Sequence, residues 1–146
     1  MACGGVEPAR APLASLGMAD GRFVTVVSCI DGRVQEPLAR WAKARYGADW
    51  ADMITRPGCD GVLSDGDAAS AEQVRADVEV SVRAHSPVAL VVSGHHDCAA
   101  NPGTQTHHLP QIRRAVLAAR GWGLGVEVVG AWVDEDWAVR AVDVED

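Results

Sequence analysis

The segment Ser28–Arg33, with the sequence SCIDGR, follows the first strongly apolar run of the chain, Phe23–Val27. This run is β-branched and nearly continuous, which is typical of a parallel strand covered on both faces. If the extended geometry persists beyond the strand, side-chain alternation places Cys29, Asp31 and Arg33 on one side of the chain. A thiol, a carboxylate and a guanidinium at the end of a buried strand indicate one half of a functional site.

A second apolar run leads into a second polar segment. Val88–Ser93 is short and apolar throughout, and Gly94–Cys98, with the sequence GHHDC, follows it directly. Open parallel sheets bind ligands beyond the carboxyl ends of their strands, so the two polar segments are expected to meet. Cys29, His95 and Cys98 would then offer two thiolates and one imidazole, a set that suits Zn²⁺ with a fourth tetrahedral position left open. The alternative is that both cysteines are small buried hydrophobes and the histidine is an ordinary loop residue.

Length and charge exclude several classes of protein. The 146 residues suit one domain with a substantial core, and the net charge of -7 lacks the basic footprint of a nucleic-acid binder. No apolar stretch approaches the roughly 20 residues that cross a bilayer, and Met1–Arg22 lacks the features of a signal peptide. Two of the four cysteines stand beside histidine and aspartate, which favours metal chemistry in a reducing compartment over disulfides. We therefore expect a cytoplasmic protein without nucleic-acid or membrane partners.

Apolar runs and helical patterns alternate along the chain, which predicts an α/β fold. The expected architecture is an open, mostly parallel sheet of about four strands flanked by helices, and Trp137–Val142 suits an additional antiparallel strand. Residues 1–22, rich in Ala, Gly and Pro, are expected to form a flexible arm, and residues 23–146 a single zinc-binding domain. The predicted strands are Phe23–Ile30, Asp52–Thr55, Val88–Ser93 and Val126–Val133. The predicted helices begin near Val34, Ser70 and Leu109. A loop is predicted at Arg56–Gly61.

The motif Cys29-x-Asp31-x-Arg33, followed by His95-x-x-Cys98, resembles the zinc signature of the β-carbonic anhydrases. Both motifs stand at predicted strand ends and in the order that the family has. The resemblance implies that the two cysteines and the histidine hold zinc, while Asp31 and Arg33 form a dyad beside the fourth position. It also implies a closed state in which Asp31 binds the zinc itself and displaces the water.

The resemblance covers Phe23 to about Asn101, and the chain departs from the family in two respects. Where the family usually has glycine after the second cysteine, this chain has Ala99-Ala100-Asn101-Pro102. The chain also lacks the terminal helices that clasp a dimer in longer members. The family pairs its subunits so that the partner completes the zinc cleft, which implies a homodimer or a higher homo-oligomer. Trp132, Trp137 and the arm of residues 1–22 are candidates for that contact, since interfaces favour aromatic anchors.

The resemblance implies a lyase, carbonic anhydrase, which reversibly hydrates carbon dioxide to bicarbonate. Zinc lowers the pKa of bound water to about 7, so hydroxide forms near neutral pH. Asp31, as a carboxylate, can accept a hydrogen bond from this hydroxide, and Arg33 favours the charged form of Asp31. Two alternatives stay open. One is hydrolysis of carbonyl sulfide or carbon disulfide at the same site, and the other is a non-catalytic zinc-binding or redox-sensing protein with Asp31 as a permanent fourth ligand.

Other polar residues near these motifs have two interpretations each. His96 and Asp97 could orient the metal ligands or carry protons, or they could be solvated loop residues. His107 and His108 could shuttle protons, although such a pair before a helix is more often at the surface or part of a cap. Cys59 is interpreted as an inert structural thiol.

Overall fold

Five strands and four helices make up the part of the chain that the computed structural model describes, residues 21–146. Residues 1–20 of the predicted arm, with Cys3, lie outside the described residues. None of the helices within residues 21–146 combines the length and apolar character needed to cross a membrane. In chain order the elements are β1 (Phe23–Ser28), α1 (Gly32–Tyr46), β2 (Trp50–Thr55), α2 (Cys59–Asp65), α3 (Ala68–His85), β3 (Leu90–His95), α4 (Gln105–Arg120), β4 (Val128–Val133) and β5 (Val139–Val142).

The sheet has the strand order β2-β1-β3-β4-β5. The first four of these strands run parallel, and β5 pairs antiparallel with β4. The predicted α/β fold, with its mostly parallel sheet and antiparallel C-terminal strand, is therefore confirmed. Because β1 and β3 are neighbours, with Val27 opposite Val92, their carboxyl ends lie side by side. This topology brings together the two polar segments that follow these strands.

Helices cover both faces of the sheet, and each face has its own apolar core. On one face Leu90 and Val92 of β3 pack in a cluster with Ile112 of α4. Val91, which lies between them, points to the other face and packs in a cluster with Leu38 of α1. Every residue of β3 is buried, which explains why its first three residues, Leu90–Val92, are all apolar rather than alternating with polar residues.

The first helix begins earlier than predicted because Asp31 caps it. The Asp31 carboxylate accepts a hydrogen bond from the backbone N–H of Arg33 at 2.9 Å, and α1 starts at Gly32. Aspartate is a strong helix N-cap, since its side chain satisfies a backbone donor that the helix leaves unpaired. β1 has already ended at Ser28, so the extended backbone that would align Cys29, Asp31 and Arg33 does not persist beyond the strand. The strand end and the helix N-cap set their positions instead.

Two stretches predicted as loops are helical. The predicted loop Arg56–Gly61 contains the start of α2, which follows Gly58 in a left-handed conformation with φ of 59°. α4 begins at Gln105, about one turn before the predicted start at Leu109, so the pair His107–His108 lies inside the helix. A helix of seven residues is too short to show an apolar period, and the first turn of α4 is polar.

Candidate metal centre

The side chains of Cys29, His95 and Cys98 converge at the carboxyl ends of β1 and β3. Cys29 directly follows β1, His95 is the last residue of β3, and Cys98 lies in the turn that follows it. Their donor atoms all lie within 4.8 Å of one another, and the two sulfurs are 3.9 Å apart. All three residues are buried, with 6%, 2% and 3% of their surfaces exposed. Two sulfurs and one imidazole at this spacing are a donor set that zinc prefers.

The imidazole of His95 is oriented as in a metal ligand. Its Nδ1 lies 2.7 Å from the carbonyl oxygen of His96, and because a carbonyl only accepts, Nδ1 carries the proton. Nε2 of the neutral ring then presents its lone pair. This atom is buried and has no hydrogen-bond partner among the described residues. A metal-binding histidine usually donates its other N–H to a carbonyl or carboxylate in this way, so the ring fits a bound cation.

Backbone N–H groups point at both sulfurs. The N–H of Gly58 donates to Cys29 Sγ at 3.4 Å, and the N–H groups of Ala100 and Asn101 donate to Cys98 Sγ. Burial, followed by the nearness of Cys29, raises the pKa of the Cys98 thiol to about 11. A buried thiol with a raised pKa ionises at neutral pH when a cation compensates its charge. The surroundings of the sulfurs therefore favour a bound cation over a free thiolate.

Arg33 holds the Asp31 carboxylate close to this cluster. The guanidinium Nε and Nη2 atoms donate to Asp31 at 3.0 and 2.6 Å, in a fork that matches the carboxylate. These side-chain hydrogen bonds are the main cause that lowers the pKa of Asp31 from 3.8 to about 2. Asp31 is therefore ionised at neutral pH. Its oxygens accept hydrogen bonds from Arg33, and they do not belong to the cluster of donor atoms from Cys29, His95 and Cys98.

Two residues from separate turns complete the surroundings of Arg33. Asp97 accepts hydrogen bonds from Nη1 at 3.1 Å through its carboxylate and from Nη2 at 3.2 Å through its carbonyl. The Trp137 ring, between β4 and β5, has its centroid 4.6 Å from the guanidinium carbon, which is a cation–π contact. Asp97 and Trp137 have φ of 57° and 60°, an uncommon conformation for residues with side chains that is concentrated at functional sites. No pattern in the sequence indicated that Trp137 meets Arg33.

One protein family matches nearly the whole described part of the chain. The matching family is described as "Putative carbonic anhydrase", and the match covers residues 19–143. The chain belongs to this carbonic anhydrase family. The resemblance that the two motifs indicated is thereby confirmed.

Two solved β-carbonic anhydrases are similar to this member of the family. One of two tetrameric enzymes from the filamentous ascomycete Sordaria macrospora is 18% identical, with 94% of this chain and 90% of that chain covered and a TM-score of 0.46. CafA of the fungal pathogen Aspergillus fumigatus is 19% identical, with 99% and 85% of the two chains covered and a TM-score of 0.47. A comparison with curated proteins gave no significant match.

A buried polar network joins α2 to α4, against the end of β3. His108 Nδ1 lies 2.5 Å from Asp60 Oδ2, and both side chains are almost wholly buried. Asn101 donates to Asp60 Oδ1 at 3.0 Å and to Gln111 Oε1 at 2.7 Å. A Cβ on Gly94 would collide with the Asp60 carboxylate, so the network packs directly against the carboxyl end of β3. The interpretation of His108 as a surface or capping residue is therefore wrong.

A cavity of about 480 Å³ opens beside the cluster. Cys98 and Trp132 form part of its wall, together with His96 and the turn residues Asp134–Asp136. Trp132 is itself almost fully buried, so the cavity ends against the apolar core. A small molecule entering this cavity would reach the side of Cys98.

Cys59 is close to the two clustered cysteines but belongs to a different environment. Its thiol donates to the carbonyl oxygen of Ser93 at 3.2 Å. Burial raises the pKa of this thiol, and the nearby Asp60 adds to the effect. The residue is therefore a neutral, hydrogen-bonded thiol, in agreement with its interpretation as a structural residue.

Proposed function

We propose that this protein is a zinc-dependent carbonic anhydrase that interconverts carbon dioxide and bicarbonate. The observation that carries the proposal is the buried cluster of Cys29, His95 and Cys98, in which His95 Nε2 lacks a partner among the described residues. Membership of a carbonic anhydrase family supports carbon dioxide as the substrate. The cavity beside Cys98 suits access by a small molecule.

The three clustered side chains would hold zinc through the two sulfurs and His95 Nε2. When bound, zinc lowers the pKa of a coordinated water to about 7, which makes hydroxide available near neutral pH. Because the chain offers three clustered donors, one coordination position would be left for that water. The hydrogen bond from His95 Nδ1 to the His96 carbonyl fixes the ring so that Nε2 is the nitrogen that would bind the metal.

Asp31 would act as a hydrogen-bond acceptor for the attacking nucleophile. Because its pKa is about 2, it is a carboxylate at neutral pH and accepts hydrogen bonds without donating one. An acceptor in a defined position directs the proton of the nucleophile toward itself and leaves a lone pair free to attack carbon dioxide. Arg33, held by Asp97 and Trp137, would be the positioning residue for Asp31.

The alternatives differ from this proposal in the role of Asp31 and in the substrate. A permanent fourth ligand would place an Asp31 oxygen among the clustered donors, whereas here the carboxylate pairs with Arg33. This pairing favours a catalytic site over a non-catalytic or redox-sensing zinc centre. Carbonyl sulfide and carbon disulfide would be attacked by the same nucleophile, so turnover measurements are needed to separate those substrates from carbon dioxide.

The proposed site also suits the reducing cytoplasm. Two thiols with sulfurs 3.9 Å apart need only a small shift to form a disulfide, and oxidation would remove both from the metal. A reducing compartment keeps them available as ligands. We therefore propose a cytoplasmic location for the zinc-loaded protein.

The experiment that tests the function is a stopped-flow assay of carbon dioxide hydration by zinc-loaded protein, run beside carbonyl sulfide and carbon disulfide turnover. We expect carbon dioxide hydration to be the fastest of the three reactions. Faster turnover of either sulfur compound would assign the protein to the hydrolase alternative. Absence of turnover with all three would support a non-catalytic zinc protein.

The ligand assignment is tested by replacing one sulfur at a time. Purified parent protein should hold about one zinc per subunit, and Cys29→Ser and Cys98→Ser should each lose most of it, since serine is a poor zinc ligand. Metal analysis by atomic emission measures the content. Cys59→Ser is the matched control, because it changes a buried thiol outside the cluster and should keep its zinc. Full zinc occupancy in both cluster variants would contradict the assignment.

A further inference from the structure

The loop after Cys98 carries a residue whose contacts reach the proposed metal centre and the buried network at once. Asn101 lies in the Ala99–Pro102 segment that directly follows Cys98, and it is the only asparagine in the sequence. Its backbone N–H donates to Cys98 Sγ. The same residue therefore contacts the sulfur through its backbone and has its side chain available for other partners.

The Asn101 side chain uses its amide for three hydrogen bonds. Nδ2 donates to Asp60 Oδ1 at 3.0 Å and to Gln111 Oε1 at 2.7 Å. Oδ1 lies 3.2 Å from His107 Nε2, and because an amide oxygen only accepts, that ring nitrogen is the donor. An amide is the group that donates twice and accepts once at these positions. Alanine would leave Asp60 and Gln111 without this donor, and aspartate would place a second negative charge beside Asp60.

The partners of Asn101 are themselves held in place. Asp60 is buried and also accepts from the Gly61 N–H at 2.9 Å and from His108 Nδ1 at 2.5 Å. Gly58, whose N–H donates to Cys29 Sγ, packs so closely on Asn101 that a Cβ on the glycine would lie 3.1 Å from the asparagine Cβ. The loops that donate to the two sulfurs are thus packed against each other at Asn101.

We propose that Asn101 is a positioning residue for metal binding, which holds the Cys98 loop so that its N–H groups face the sulfur. The buried group of Asp60, His108 and Gln111 anchors the asparagine, and through it the loop. A loop ordered in advance lowers the entropy cost of binding, and the two N–H donors stabilise the negative charge of the thiolate. The inference rests on the proposed zinc site but not on carbon dioxide as its substrate.

The test measures metal affinity directly. Asn101→Ala removes the side-chain anchor, and we expect the zinc dissociation constant, measured by competition with a chromophoric chelator, to rise about 10- to 100-fold. In the cobalt-substituted protein the sulfur-to-cobalt absorption bands should shift or weaken, because the Cys98 sulfur is less well ordered. Neither readout depends on catalysis, so a failed carbon dioxide assay with a confirmed Asn101 effect would overturn the proposed function alone.

A control separates this role from general stability. Ser81→Ala removes buried hydrogen bonds to Thr25 and Asp52, which belong to β1 and β2 and not to the metal centre. This variant should melt at a lower temperature and bind zinc as the parent does. Equal loss of zinc affinity in Ser81→Ala and Asn101→Ala would overturn the proposal.

A second variant keeps the proposal testable if Asn101→Ala does not fold. Gln111→Met preserves the apolar bulk at a buried position of α4 but removes one acceptor of the Asn101 amide. We expect a smaller loss of zinc affinity in the same direction. The proposal is overturned if the variant that folds binds zinc as tightly as the parent does and has the cobalt spectrum of the parent.

Discussion

The Asp31 carboxylate both caps α1 and binds the Arg33 guanidinium. One of its oxygens accepts the backbone N–H of Arg33 at 2.9 Å, while the guanidinium reaches the other oxygen at 2.6 Å. The folded protein therefore lowers the pKa of this carboxyl from 3.8 to about 2. Because the folded pKa lies below the ordinary one, the ion pair stabilises the fold above about pH 4, and this contribution is lost as the pH falls through about 2.

Replacement of this carboxylate by an amide separates its two contributions. Asparagine caps helices as well as aspartate does, so Asp31→Asn should retain α1 and its zinc. The amide oxygen is a weaker and uncharged acceptor for the nucleophile, so we expect carbon dioxide hydration to fall roughly 100-fold. Stopped-flow turnover and metal analysis on the same preparation measure the two properties.

The matched control for this change is another aspartate that caps a helix. Asp67 accepts the N–H groups of Ala69 and Ser70 at the start of α3, away from the metal centre. Asp67→Asn should leave both zinc content and turnover unchanged. Hydration at the parent rate by Asp31→Asn would show that the dyad has been given the wrong role.

Single residues of the site were predictable from sequence only where a local pattern marked them. Cys29, His95 and Cys98 follow buried apolar runs, and strands of this kind pair in parallel, so their meeting could be foreseen. Asp60 and Asn101 could not be identified in the same way. Asp60 lies 41 positions from Asn101 and 48 positions from His108 in the sequence, so no local pattern connects these residues. Neither Asp60 nor Asn101 directly follows a buried apolar run that would mark its place.

At the scale of elements, the hairpin of β4 and β5 contributes to the site as well as to the sheet. Asp134 accepts the N–H groups of Asp136 and Ala138 at 2.9 and 3.0 Å, which shapes the turn. Within this turn Trp137 takes a φ of 60°, and its ring lies over Arg33. The strand could be predicted from its apolar pattern, whereas the contact depends on turn geometry that the pattern does not specify.

The hairpin contact predicts a measurable effect of Trp137 on catalysis. A cation–π pair at a partly exposed site is worth about 0.5–1 kcal/mol, which corresponds to about a 2- to 5-fold change in the population of the aligned guanidinium. Trp137→Leu should lower kcat by this factor with unchanged zinc content, and Trp137→Phe should restore part of it. Stopped-flow kinetics at saturating carbon dioxide give kcat.

A similar pair at the surface of α1 provides the comparison for Trp137. The Arg45 guanidinium carbon lies 5.3 Å from the Trp41 ring centroid, at the end of the helix that leads away from the metal centre. Trp41→Leu removes a comparable contact and should leave kcat unchanged. If both tryptophan variants lower kcat equally, the effect comes from general destabilisation and not from Arg33.

Helices were predictable to the extent that they carry an apolar period and a cap. α1 and α3 have both, and α3 begins at Ala68 after the Asp67 cap, close to the predicted start at Ser70. α2 is too short for apolar residues to recur at helical spacing. At the start of α4, the Thr104 side chain makes no capping hydrogen bond. The first turn of α4, which contributes His108 to the buried network, was missed for that reason.

At the scale of the whole molecule, one exposed apolar side chain lies among the charged residues beside the metal centre. Ile30, between Cys29 and Asp31, has 58% of its surface exposed. Trp132, which was a candidate for contact with a partner, is almost fully buried within the subunit and is unavailable for this role. Ile30 is exposed and follows Cys29 directly, so we take it as the candidate for the contact instead, because burial of its apolar side chain by a partner would be favourable.

We expect a homodimer or a higher homo-oligomer in which a second subunit covers this side of the cleft. Ile30→Glu places a charge where the partner would pack, so it should shift the sedimentation coefficient at micromolar concentration toward that of a monomer and lower turnover. Val80→Glu is the matched control, since Val80 lies on α3 with 56% of its surface exposed and should change neither property. A two-fold symmetric contact pairs the same patch on both subunits, so one substitution acts on both sides of such a contact. A stable parent monomer with full activity would contradict both the pairing and the shared cleft.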